Sequence, residues 1–238
     1  MLQDRLNHYF VHHPMLIILA CLGIVIALGA GLPPKVTTDF EEFFPDSDDN
    51  LVAYHDLQTT YTNVDNVFFA IAPKSGIVFS QDTLTIIAEM TEQAWQLPYS
   101  QRVDSITNFQ HTIAEDDDLL VDDLIPDPAN ASAAELADAK AIALAEPQLV
   151  NRLLSPTAHV AGINVIANFH QAEDKSAAIP QVVQSAREFM ADFQAKYPQV
   201  DIYLVGKAMN NNAFKEATLY DMKTLVPIAF LFAMACIL

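Results

Sequence analysis

Apolar positions along this chain form an unbroken block at each end and a periodic pattern between them. Between Pro14 and Pro33 the segment MLIILACLGIVIALGAGL runs for about eighteen residues without a charge, enough as a helix at about 1.5 Å per residue to cross most of a bilayer core. The pattern predicts a transmembrane helix over 15–32. The lead-in before it, 1–14, carries Arg5 and the interface-type pair Tyr9 and Phe10, and is expected to be cytoplasmic. A cleaved signal peptide is the competing reading, given the small residues from Ala27 to Gly31, but the apolar run is longer than a signal core. Gly23, Ala27 and Gly31 offer that helix a small-residue packing face. After Lys223 the chain reads TLVPIAFLFAMACIL. Residues 224–238 are therefore expected to begin a second membrane helix that is cut short, since about fifteen residues do not span a bilayer, and a fragment is the favoured explanation.

The middle, 33–223, carries most of the turn residues and nearly all the charge. VTTDFEEFFPDSDDN reads as an extended linker, AYHDLQTTYTN (53–63) has helical spacing, and VFFAIA (67–72) is rich in strand formers. Ser80 to Asp82 can cap a helix whose apolar stripe is Leu84, Ile87, Ala88, Thr91, Ala94 and Trp95, ended by Pro98. RVDSITNF (102–109) alternates as a half-buried strand, and the acidic stretch AEDDDLLVDDLIPDPANAS is expected to be a solvated loop. ASAAELADAKAIALA (131–145) is a strong helix former, and HVAGINVIANF (159–169) has strand character. A helix over about 177–197 has Ile179, Val182, Val183, Ala186, Phe189, Met190 and Phe193 on one face, and VDIYLVG (200–206) supplies a last strand. This order predicts an α+β domain with helices covering one face of a mixed sheet, in βαβ units of ferredoxin-like type.

Charge narrows the partners. A formal net charge of -18 with 12 scattered basic residues argues against nucleic acid. It also disfavours anionic ligands and leaves cationic or neutral apolar ones open. Cys21 and Cys236 both fall in apolar segments, so the middle has no disulfide framework or cysteine metal site.

Candidate chemistry is sparse. Six glycines form no phosphate-binding loop and no nucleophile elbow, so no catalytic, metal or cofactor residue is nominated and no enzyme is expected. His12, His13, His55, His111, His159 and His170 lack the paired spacing of zinc sites. The carboxylates at Glu115 to Asp118, Asp122 and Asp123 lack the calcium-loop pattern. Phe40, Phe43, Phe44, Phe68, Phe69, Trp95 and Phe109 can line an apolar pocket, although core is favoured.

Several phrases, in order, resemble the resistance-nodulation-division (RND) superfamily, in its branch of MMPL-like and hopanoid-type lipid exporters. They are DFEEFFPDSDDN after the first apolar segment, the helix with Tyr54 and Leu57, RVDSITNF, DLLVDDLIPD, LVNRLLSPTAHVAGINVIANF, and VGKAMNNNAFKEATLYDMKTLVPIAF at Val205 to Phe230. The resemblance implies the N-terminal segment of a proton-driven exporter of lipids or other hydrophobic or amphiphilic compounds, in a bacterial inner membrane. It also implies a porter-type periplasmic domain and a partnership with the remaining transmembrane portion, as a possible homo-oligomer. The family's proton-relay acids lie in later helices, and neither apolar segment here holds an acid. The alternative is a membrane-anchored binding or scaffold module without transport activity.

Overall fold

A computed structural model describes residues 15, 19, 23, 24, 44, 45, 47–60, 65–115, 118–169 and 175–237. The chain divides into two units, Met1–Thr37 and Thr38–Leu238. In the first, Met15, Leu19, Gly23 and Ile24 are helical and exposed. The lead-in with His12 and His13, the remainder of the predicted span and the linker with Phe40 and Phe43 lie outside the described residues.

In the second unit the helices are α1 (Asp49–Thr60), α2 (Gln81–Ala94), α3 (Ala133–Ala145), α4 (Lys175–Lys196), α5 (Lys207–Lys223) and α6 (Leu225–Ile237). The strands are β1 (Asn66–Pro73), β2 (Ser100–Asp104), β3 (Gln110–Glu115), β4 (Asp118–Asp123), β5 (Ala161–Ala167) and β6 (Val200–Val205). Four strands form one sheet in the order β2-β5-β1-β6, and β3 and β4 form a separate hairpin. Each neighbouring pair in the four-stranded sheet is antiparallel, which corrects the expected mixed sheet. The reason is topological: α2 joins β1 to a parallel β2, and α4 joins β5 to a parallel β6. In each case a strand of the other strand–helix–strand pair sits between the joined strands. Parallel strands are therefore present but never adjacent.

One face of the sheet packs against α2 and α4. Burial alternates strictly along β1, where Val67, Phe69 and Ile71 are sealed and Asn66, Phe68, Ala70 and Ala72 are not, as the two-residue period of a strand requires. Leu84, Ile87 and Met90 of α2 and Val182 and Ala186 of α4 close over that face. Each large apolar side chain so buried contributes roughly 1.5–3 kcal/mol. Phe189 bridges Phe69 and Phe193, with ring centroids 5.3 and 4.8 Å away. The stripe predicted on α2 holds at Leu84, Ile87, Thr91 and Ala94 but fails at Trp95, which is the C-cap and 46% exposed.

Two predicted segments change character. RVDSITNF is a strand only as far as Asp104. Beyond it, Asn108 Oδ1 accepts from Ser105 N (2.7 Å), Asn108 Nδ2 donates to the Val103 carbonyl (2.8 Å), and Ser105 Oγ accepts from Thr107 N. These polar side chains capture the backbone groups a strand would have paired. The acidic stretch, expected to be a loop, instead enters a hairpin with His111 opposite Asp122 and Thr112 opposite Val121. Short apolar runs on either side of the charges supply enough strand propensity for pairing.

From β6 the chain turns through Gly206 into α5 and, past Thr224, α6. The break at Thr224 follows from Pro227, which lacks the N–H that would bond the Lys223 carbonyl. Lys207–Cys236 is long and apolar enough to cross a membrane by length and composition, and none of its apolar window is buried.

Candidate functional site

The sheet face opposite the helices carries three rows of residues in register. Asp104, Asn164, Phe68 and Val205 lie side by side across the four strands. Arg102, Ile166 and Asn66 form a second row, and Gly162, Ala70 and Tyr203 a third. Tyr203 is 59% and Val205 52% exposed. The Phe68 ring lies over Gly162 so closely that a Cβ there would stand 2.1 Å from Cζ of the ring. Glycine at 162 is what lets an aromatic lie flat on this face.

At the β2 end the face opens into a cleft of about 860 Å³, within the range of small-molecule sites. The loop after β2 brings Ser105, Asn108 and Phe109 to it, the end of α2 brings Trp95, and the segment after α3 brings Gln148, Arg152 and Leu153. Arg102 and Asp104 on β2 are paired, with Nε donating to Oδ1 at 2.6 Å. Of the aromatics proposed from sequence, Phe68, Trp95 and Phe109 line this cleft, Phe69 is core and Phe44 is exposed. The preference for core thus holds for Phe69, holds in part for Phe109, which packs against the core while lining the cleft, and is corrected at Phe68 and Trp95. Sequence reasoning missed the two arginines, which are fifty positions apart and follow no motif.

Asn66 ties the cleft to the apolar helix. Its Nδ2 donates to Asn164 Oδ1 at 2.7 Å, and its Oδ1 accepts from the backbone N–H of Lys207, the first residue of α5, at 3.0 Å. Lys207 Nζ in turn bonds Asp65 (3.2 Å) and the Tyr54 hydroxyl (3.0 Å) on α1. Further along, the Arg187 guanidinium of α4 holds Glu216 of α5 through two hydrogen bonds of 2.8 and 3.0 Å. α5 is therefore anchored at its start to the cleft and in its middle to the core helix.

No protein-family model and no curated protein matches this chain.

Two other clusters gather polar side chains. The hairpin and α3 enclose an acidic groove of about 460 Å³ lined by Asp122, Asp123, Asp127, Glu135, Asp138 and His111. Its best-fixed carboxylate, Glu135, completes the α3 capping box by accepting from Ser132 N (2.6 Å), which holds it below the usual carboxylate range. Among the described residues no group of three or more His, Cys, Asp and Glu could hold a metal ion. The second cluster, Ser155, Thr157 and His159, superficially resembles a nucleophile beside a base, with Ser155 Oγ 3.1 Å from His159 Nδ1. However, the serine oxygen accepts from the backbone N–H groups of His159 and Val160, both at 3.0 Å. Thr157 competes for the same ring nitrogen. That arrangement closes a turn before β5. Of the remaining sequence candidates, His55 lies on α1 against Tyr54, and His170 is outside the described residues.

Proposed function

We propose that this chain is the N-terminal segment of a proton-driven RND-type exporter of lipids or other hydrophobic or amphiphilic compounds, in which the sheet domain is a periplasmic porter-type module that handles the substrate. The observation that carries this reading is the covalent and hydrogen-bonded path from the open sheet face, through Asn66, into α5 and on past Thr224 into the apolar, exposed α6. A ligand seated on the face would thereby act on a candidate membrane helix. The strand order β2-β5-β1-β6, with two crossover helices on one face, supports a ferredoxin-like description of the domain. Neither apolar segment contains an acid, so this reading assigns proton coupling to other membrane helices of the exporter.

The test is export in the native host. Disrupting the reading frame is expected to raise cellular retention of radiolabelled amphiphiles to the level produced by a protonophore, and complementation should reverse it. Retention that is unchanged across anionic, neutral and cationic amphiphiles overturns the proposal.

A further inference from the structure

The geometry points to the open-face cleft as a binding site for an amphiphile with an anionic headgroup, a carboxylate or a phosphate, joined to an alkyl tail. This inference rests on the exporter reading and narrows its substrate class. It also runs against the acidic balance of the whole chain, which taken alone favours cationic partners.

The argument begins with where the charges sit. The chain carries 30 acidic residues against 12 basic ones, yet among the described residues the charged side chains lining the cleft are Arg102, Arg152 and Asp104 alone. Carboxylates concentrate instead in the groove between the hairpin and α3. At physiological salt the screening length is about 8 Å, so a headgroup in the cleft is governed by these three groups and not by the distant surplus of acid.

The donors in the cleft are also under-used. Asp104 engages Arg102 through Nε alone, which leaves the four Nη hydrogens of a planar fork held in a set orientation. Arg152 is exposed and forms no ion pair among the described residues. Asn164 spends its carbonyl oxygen on Asn66 and keeps its amide donors. Carboxylate and phosphate match the arginine fork in two parallel hydrogen bonds, whereas a quaternary ammonium would find a single, already paired carboxylate. Beside these donors stand Phe68, Trp95, Phe109 and Leu153, an apolar wall suited to a tail.

Trp95 is the only tryptophan of the chain, so its emission reports on the cleft directly. The experiment titrates the full chain, in phosphatidylcholine nanodiscs, with decanoate, decyl phosphate, decyltrimethylammonium, decyl maltoside and inorganic phosphate, following Trp95 fluorescence with calorimetry in parallel. Decanoate and decyl phosphate are expected to bind at least about tenfold more tightly than the cationic and neutral probes, one charge-assisted hydrogen bond's worth. Inorganic phosphate should leave the emission unchanged. Arg152→Gln and Arg102→Gln should each weaken the anionic probes about tenfold, with Arg152→Lys recovering part of the loss, and with thermal melts confirming that the variants fold. Equal or tighter binding of decyltrimethylammonium or decyl maltoside overturns the anionic assignment and leaves amphiphile handling intact. Inorganic phosphate binding as tightly as decyl phosphate overturns it in favour of a plain anion site. If no probe binds by either readout, the inference and substrate handling by this domain fall together.

Discussion

Three glycines separate the costs of backbone strain, backbone collision and side-chain collision, and the separation can be measured. Gly206 joins β6 to α5 with φ +126 and ψ 167, a region closed to residues with a side chain at a cost of about 1–3 kcal/mol. An added Cβ would also stand 2.5 Å from the Asn66 carbonyl oxygen and 3.0 Å from Cα of Val67, both parts of a buried strand that cannot swing aside. Overpacking of that kind costs about 1–3 kcal/mol more. Gly206→Ala should therefore destabilise by about 3 kcal/mol or more, a fall in Tm of about 6 °C or more for a chain of this size. Gly76 has φ +72 with nothing within 4 Å of its added Cβ, so Gly76→Ala should cost only the strain, about 1 kcal/mol. Gly162→Ala meets only the far end of the Phe68 ring, which can rotate outward. Its effect should appear less in stability than in Trp95 emission and amphiphile binding, because the ring would enter the cleft. Urea unfolding and thermal melts of the three variants make the comparison. A Gly206→Ala variant no less stable than Gly76→Ala would refute the junction geometry.

Asn66→Ala removes both the cap on Lys207 and the bond to Asn164 and is expected to cost about 1–2 kcal/mol in urea unfolding; Asn66→Asp, which keeps the acceptor, should cost less. Hydrogen bonds from Lys196 and Tyr197 hold the Glu89 carboxyl below its ordinary range. Because the folded value lies below the unfolded one, this contribution is present above the unfolded pKa of about 4.3 and is lost as pH falls through the folded value. Tm measured across that acid range should therefore drop more steeply in the wild type than in Glu89→Gln. Leu119 on the hairpin is 73% exposed, so Leu119→Ser should change stability by no more than about 0.5 kcal/mol; a larger loss would mean that the hairpin is packed against something.

The helices and central strands were legible because burial on one side imprints a period on the sequence. Val182, Val183, Ala186 and Phe193 recur at helical spacing and are sealed, with Ile179, Phe189 and Met190 partly buried beside them. The β1 alternation is equally regular. What failed had a local competitor or a non-local cause. Ser105 and Asn108 end β2 early by bonding to nearby backbone, and strand periodicity does not register that competition. The antiparallel order depends on β5 inserting between β1 and β2, a choice made by packing across nearly a hundred residues. The hairpin was hidden by its acids, since solvent-exposed strands need not exclude charge.

The cleft was illegible for a related reason, and it changes the chemistry that charge alone suggested. A net charge averages over the surface, whereas a ligand responds to groups within a screening length. Arg102 and Arg152 look like two members of a scattered basic minority until the pairing of β2 with β5 and the turn before β5 bring them to one opening. The same pairing places Asn164 against Asn66, and Asn66 against the first amide of α5. One hydrogen-bonded ladder thus runs from Asn164, which lines the cleft with the arginines, across β5 and β1 to the start of α5. A headgroup that accepts from the Asn164 Nδ2 fixes the side chain whose Oδ1 holds Asn66, and so bears on the cap of α5. Any effect of a bound amphiphile on α5 should therefore be weaker in Asn66→Ala even where binding itself is retained, a contrast that hydrogen exchange at Lys207 to Asn210 can read with and without decanoate.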